Sequence, residues 1–404
     1  MASAAETLEV NAENKWRLET PHPVGWARTP RPNADKQKYF ICSVDSHITP
    51  PMDLIPSRID EKYRSYLPRM ENREDGQYMV AEGRKPFKVI SADFQGEDMY
   101  RAKAAVMTHD TDAGMSVRLA DMDYDGIDAE ICFPNGPALA AYAAPSEVAM
   151  AAFRIYNDWA AEVTAKYGKR CKVVPTAVTS DIPAAIAEVE RIVKMGLDII
   201  ALPTDAGRDK PQYNHRDYDP LWAVIEEAGI PIAMHVATGD DPRRVRGPGG
   251  AIMNRAYSHE MMVHPIAAFC SAGVLDKFPK LRFACVEGGV GWIPALLDLM
   301  DETYKKHHFW CFPKLKQGLP SDYFRSNAIG SFQEDRAGTL LVEPYGLENN
   351  FCWSNDYPHH EGTWPHSAAA IERDFAHLRE DTRAKILGLN AAKFFNFEIP
   401  QALI

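Results

Sequence analysis

The sequence predicts an α/β fold: a (β/α)8 TIM-like barrel with an N-terminal arm and a long insertion after its first strand. Three observations carry this. Eight short β-rich runs alternate with helical stretches in β-then-α order, near residues 39–47, 126–133, 171–178, 197–202, 230–236, 281–287, 324–332 and 351–356, the pattern of a parallel sheet with crossover helices. No G-x-G-x-x-G follows the first run, so nothing recommends a doubly wound open sheet. The residues competent to bind a metal gather at the C-terminal ends of the runs, where a barrel keeps its active site.

Taken in order, residues 1–37 are polar and carry prolines at positions 21, 23, 30 and 32, which reads as an extended arm. The barrel is expected over 38–397, with 398–404 as a short tail. Its first strand, Tyr39 to His47, stops at Pro50-Pro51, because proline cannot donate to a ladder. The charged, glycine-containing stretch 52–119 is too long for a simple loop and reads as an insertion or lid. Helix is expected from Ser146 to Tyr167, with Gly168 as its stop, and from Ile182 to Met195, where apolar residues recur at helical spacing. A glycine- and proline-rich segment, 238–251, precedes a helix that runs to about Ala272. Trp292 to His307 and the C-terminal part, 366–395, are also expected to be helical.

The totals exclude several classes. With 46% hydrophobic and 25% charged residues the chain should bury a large core, and a formal net charge of −11 without a basic stripe argues against nucleic-acid binding. Met1 to Val10 contains no apolar run, so neither a secretory signal nor a membrane span is expected there. Seven cysteines, with no C-x-x-C pair and with Cys42, Cys132, Cys285 and Cys352 inside apolar runs, are the usage of buried thiols in a reducing compartment. The expected location is the cytoplasm.

The chemistry collects at the strand ends. Asp45 and His47 close the first run, and an i, i+2 pair on an extended strand shares one face. His235 stands near the end of the fifth run, Glu287 closes the sixth and Asp356 the eighth, followed by His359 and His360. Mixed carboxylate and imidazole ligation suits Zn²⁺, Mn²⁺ or Fe²⁺ better than Ca²⁺ or Mg²⁺. Arg325, in the seventh run, is a candidate to bind a substrate carboxylate through two hydrogen bonds. His264 closes a His259-Glu260 stretch one residue too long for H-E-x-x-H, and is a candidate to line the substrate pocket.

These motifs carry a resemblance. Asp45-Ser46-His47, Pro231-Ile232-Ala233-Met234-His235, Phe278-Pro279-Lys280-Leu281-Arg282 running into Glu287-Gly288-Gly289-Val290-Gly291-Trp292, and Ser354-Asn355-Asp356-Tyr357-Pro358-His359 make the chain similar, over about residues 39–397, to the amidohydrolase superfamily. Within it, the similarity is to the amidohydrolase-related branch that contains aminocarboxymuconate-semialdehyde decarboxylase and the resorcylate-type decarboxylases. The resemblance implies a divalent metal held by Asp45, His47, His235 and Asp356, with Asp356 accepting a proton from metal-bound water. It also implies association into oligomers, either of this chain or with a related subunit.

Two departures from the family pattern shape the functional expectation. D-x-H replaces the commoner H-x-H or E-x-H, and Glu287 stands where many relatives carry a histidine. The expected activity is therefore a metal-dependent hydrolase or decarboxylase (a carboxy-lyase) acting on a small organic acid or carbonyl compound, with Asp356, Glu287 and His360 as catalytic candidates. The alternative gives Glu287, with His360 or His359 of the loop after the eighth run, to a second ion. That dinuclear iron, or iron and manganese, centre would activate O₂ in an oxygenase on the same barrel.

Overall fold

The computed structural model describes residues 39–88, 112–207, 209–239, 247–312, 314–359, 361–364 and 367–401. The expected arm, the last three residues of the C-terminal tail and His360 lie outside them. Eight parallel strands form the core: β1 (Cys42–Ile48), β2 (Ala129–Pro134), β3 (Cys171–Val173), β4 (Ile200–Ala201), β5 (Ile232–His235), β6 (Phe283–Val286), β7 (Ala328–Phe332) and β8 (Phe351–Trp353). Continuous ladders join β1–β2–β3 and β4 through β8. Two seams remain, and single parallel bridges span them, Thr176 to Ala201 and Ser46 to Tyr357. The strand order thus runs once around a (β/α)8 barrel, although the ladder is not continuous at the seams.

Side-chain alternation divides the core in two. An inner cluster takes Cys42 and Val44 of β1, Ala129, Ile131 and Phe133 of β2, Ala233, Ala284, Val286, Ile329 and Cys352. Small residues dominate because the barrel interior is narrow. Phe394, Phe395 and Phe397 join this cluster and plug the N-terminal end of the barrel beside Phe40. The outer cluster sets Ile41, Ile200, Ile232, Met234, Phe283 and Trp353 against the surrounding helices.

Local signals account for the helices. Ser146–Tyr167 ends at Gly168, as expected, and Ile182–Lys194 starts where the Asp181 carboxylate accepts the Ala184 N–H at 3.0 Å. Gly229, at φ 69°, closes Asp219–Ala228. Among its described residues, the 52–119 stretch carries structure of its own. It holds a short helix, Leu54–Arg58, and an antiparallel sheet of Arg69–Arg73, Gly76–Val80 and Phe87–Lys88. The helix Asp112–Asp125 then packs onto the barrel, with Met115, Arg118 and Met122 buried.

Candidate metal centre

The ends of β1, β5, β6 and β8 converge on one mouth. In β1 the pairing with β2 slips between Ser43 and Ser46. That irregularity shifts the alternation by one, so Val44 belongs to the inner core while Asp45 and His47 reach the mouth above it. The seam between β1 and β8 is tied at the same place. Asp356 N donates to Asp45 O at 3.0 Å, and His47 N to Tyr357 O at 2.6 Å. Ser43 Oγ bonds both Asp45 O (2.7 Å) and Asn355 Oδ1 (2.9 Å). Glu287 and Asp356 both have positive φ, 67° and 52°, a conformation that costs on the order of 1–3 kcal/mol for a non-glycine residue.

His235 Nδ1 bonds the Val236 carbonyl at 2.8 Å, a geometry that turns Nε2 towards the cluster. Nε2 lies 3.2 Å from both Asp45 Oδ1 and Glu287 Oε2. His47 Nε2 lies 3.6 Å from Asp45 Oδ1 and 3.2 Å from Asp356 Oδ1. His359 Nδ1 is 3.0 Å from Asp356 Oδ1, and its ring stacks on that of His47 at 3.9 Å. Asp45, His47, His235 and Glu287 bring ligand atoms within 4.8 Å of one another, as do Glu287, Asp356, His359 and Glu361.

The donor set fits a divalent cation. Asp45 Oδ2, both ring nitrogens of His47 and both carboxylate oxygens of Asp356 are buried with no hydrogen-bond partner. Leaving such groups unmatched costs about 1–3 kcal/mol each, more when charged. A cation would satisfy one atom of each residue, an imidazole offering a single ring nitrogen to a given ion. Asp45, His47, His235 and Glu287 form one ligand group that would hold it, and Asp356, grouped with His47 and His359, is within reach as a further oxygen ligand.

Protonation behaves as expected of a crowded cation site. Burial, followed by the nearby Asp356 and Asp45 carboxylates, pushes Glu287 up to about 8, against His235 and Arg255, which pull it down. Burial acts on His235 and His359 in the opposite direction, yet Asp45 with Glu287, and Asp356 with Glu361, raise them each to about 9. His47 is driven well below the ordinary imidazole range by burial and then by His359. Protons on these groups and a bound cation are alternative ways to neutralise the same carboxylates.

The outcome for the remaining expected residues is mixed. Arg325 is a correction: it lies in the helix Pro320–Asn327, exposed, donating to Tyr345 O at 3.3 Å. That helix feeds the N-terminal end of β7, opposite the ligands, so Arg325 does not line the mouth. Pro320 at the helix start and the Asp322 carboxylate accepting Leu319 N (2.8 Å) made this segment helical. His264 lies half-buried on the helix Gly250–Ser271, its Nε2 without a partner, and belongs to none of the ligand clusters among the described residues. His359, the alternative to His360 for a second ion, joins the cluster, and so does Glu361, which was not named from the sequence.

Two arginines were also missed. Arg255 donates to Glu287 Oε1 at 2.9 Å and to Gln333 Oε1 at 3.1 Å. Arg118, fully buried, pairs with Glu130 and donates to His47 O and Ser46 Oγ at 2.8 Å each. It also lies 5.1 Å from the Tyr357 ring, whose hydroxyl donates to Asp121 at 2.7 Å. Arg118 thus clamps the β1 and β8 ends from behind.

Known proteins resemble the chain in sequence and in fold. A curated relative, the decarboxylase orsB of Emericella nidulans, is 28% identical over 153 residues, 34% of this chain and 43% of its own length. The match therefore spans less than half of that relative. Among solved structures, amidohydrolase map2389c from Mycobacterium avium subsp. paratuberculosis has a TM-score of 0.66 at 19% identity, over 88% of this chain and 99% of its own. The 5-carboxyvanillate decarboxylase LigW from Sphingomonas paucimobilis gives 0.61 at 19%, over 89% and 100%. The 5-carboxyvanillate decarboxylase from Novosphingobium aromaticivorans, solved with manganese and 4-hydroxy-3-methoxy-5-nitrobenzoic acid, gives 0.63 at 17%, over 90% and 98%. The profile of the amidohydrolase family matches residues 44–397, and the chain belongs to that family of enzymes.

Proposed function

We propose that the chain is a divalent-metal-dependent decarboxylase of small organic acids, working at the C-terminal mouth of its barrel. The observation that carries this is the buried, unpartnered donor set of Asp45, His47 and Asp356 facing His235. Decarboxylation is preferred over hydrolysis because orsB and the carboxyvanillate enzymes bear that activity in their names. Manganese is the favoured ion on the same ground, with zinc and iron as the other two that suit the donors.

A bound divalent ion supplies an electrophile that orients the acid and offsets negative charge as it develops. The chain does the rest. In decarboxylation the bond to the carboxyl carbon breaks, its electron pair stays on the remaining carbon, CO₂ departs and that carbon takes up a proton. Asp356 Oδ1, 3.0 Å from His359 Nδ1, is suited to hold that proton and His359 to replace it. A homo-oligomer, or association with a related subunit, and a cytoplasmic location complete the reading.

The test loads the protein with manganese and offers it a panel of hydroxybenzoates in D₂O. CO₂ release with deuterium at the vacated carbon is expected, and Asp356→Asn should abolish both. Loaded protein that releases no CO₂ but cleaves amides or lactones would return the activity to hydrolysis.

A second reading is favoured by one observation: Glu287 belongs to two of the three ligand clusters among the described residues, one with Asp45, His47 and His235 and one with Asp356, His359 and Glu361. It makes the centre dinuclear, with iron or iron and manganese, and the reaction an oxygenation. Two metal equivalents per chain and a product that fails to form without O₂ would establish it over decarboxylation.

A further inference from the structure

Beside the proposed metal ligands the mouth holds a second set of donors that this set leaves unused. The helix Gly250–Ser271 lies over the loop after β6, where Met262 packs so closely on Gly288 that a Cβ there would meet its Cγ at 2.6 Å. One turn further along the same helix, His259 rests 5.6 Å from the Trp292 ring. Another turn along, Arg255 reaches Glu287 and Gln333. Among the described residues, Arg255 is the one Arg or Lys that pairs with Asp45, Glu287 or Asp356. Its side chain is 45% exposed, so an anion arriving from solvent can reach it.

Gln333 supplies an independent sign. It follows the last residue of β7 and is 6% exposed, with Oε1 taken by Arg255 Nη2. That bond fixes the amide orientation, and the other end, Nε2, is buried with no partner. A buried donor without an acceptor is rare enough to need a reason. Arg255 contributes two of its five N–H groups to the bonds described. Arg255 at Glu287, and Gln333 joined to it, therefore have hydrogen-bonding capacity to spare, and the other charged groups of the ligand clusters among the described residues are acids and imidazoles.

We propose that Arg255 and Gln333 form the subsite for the substrate's carboxylate, one oxygen taken by the guanidinium and the other by Gln333 Nε2. This rests on the reading of the mouth as a metal-dependent acid-binding site, and it makes the substrate an organic anion, with neutral analogues rejected. Pairing with Glu287 holds the guanidinium in place when no substrate is bound.

Calorimetric titration of manganese-loaded protein with two probes tests it: 4-hydroxy-3-methoxy-5-nitrobenzoic acid and 2-methoxy-6-nitrophenol, which lacks only the carboxylate. The acid should bind the native protein at least ~10-fold more tightly than the phenol, the equivalent of about 1.4 kcal/mol. That preference should vanish in Arg255→Met and shrink in Gln333→Leu, with the phenol's affinity unchanged. Gln333→Leu leaves the Arg255–Glu287 pair intact, so it reads the subsite without disturbing Glu287. Manganese content is measured on the same samples. Native protein that takes up no manganese overturns the metal reading. Protein that takes it up, yet shows no preference for the acid or keeps that preference in both variants, overturns the subsite alone.

Discussion

Arg118→Met separates the work of the buried clamp from the stability of the fold. Arg118 and Glu130 are both 0% exposed, and Glu130 Oε2 already lacks a partner. Removing the guanidinium strands the Glu130 carboxylate in the outer core, where breaking one half of a buried pair costs about 3–5 kcal/mol. It also removes the donors to His47 O and Ser46 Oγ, which fix the backbone that presents Asp45 and His47. Loss of a group that orients metal ligands typically lowers affinity by about 10–100-fold. Adding Glu130→Gln removes the stranded charge, so the double variant should recover most of the stability while its manganese affinity stays low. Urea denaturation and metal titration on native, single and double variants read the two effects. A double variant with native manganese affinity would falsify the clamp, whatever its stability.

Three further outcomes follow from the geometry. Asp125, accepting from Ser367 N at 3.1 Å and from the Ser367 hydroxyl, is pushed up to about 7, first by burial. An acid whose folded-state pKa is raised contributes stability that is fully present below its unfolded value near 4 and is lost as pH rises through about 7. Asp125→Asn keeps an acceptor for Ser367 N and should flatten that decline, leaving the variant more stable than the native protein at pH 8 by up to about 4 kcal/mol; equal slopes in pH-dependent denaturation would count against it. Gly362→Ala would set a Cβ 2.3 Å from Asn355 O, 2.9 Å from Asp356 O and 3.0 Å from His359 O. Backbone on all three sides leaves no room for relief, so a cost of about 1–3 kcal/mol and weaker manganese binding are expected from calorimetry. Chelation should lower the melting temperature, and restoring manganese to about 1,000 times its dissociation constant should return about 4 kcal/mol. A melting curve indifferent to both treatments would leave the donor set without its cation.

Much of this was legible in the sequence because strand ends announce themselves. Asp45, His235, Glu287 and Asp356 each close or follow an apolar run, and a barrel brings such positions together. The boundaries were less legible. The run from Phe324 to Phe332 read as one strand, but its first part is the last turn of a helix, and Arg325 went with it. Arg118 was hidden for another reason. It sits in a charge-rich stretch where one more arginine carries no signal, and its partner Glu130 lies on the next strand. Arg255 was masked by the glycine- and proline-rich segment just before it. Pairing across elements, not residue type, gives both arginines their places.

Alternation explains why the ligands were easier to name than to aim. From sequence, Asp45 and His47 share a face, but which face depends on the register slip between Ser43 and Ser46. Without it they would point away from Val44 and the interior. Glu287 poses the same problem at β6. Val286 belongs to the inner core, so an extended Glu287 would turn outward. Its φ of 67° reverses that, and the Ser331 hydroxyl accepting Glu287 N at 3.0 Å holds the reversal. Two of the four converging strands thus break their own periodicity at the residue that faces the cluster, at an energetic cost that serves no packing purpose visible among the described residues. A fold selected for stability alone would have kept the alternation and pointed both carboxylates to solvent or to the helices. The deviations buy one thing in common: they return acids to a buried mouth that already holds three histidines, which is the arrangement a cation requires and an uncharged core does not.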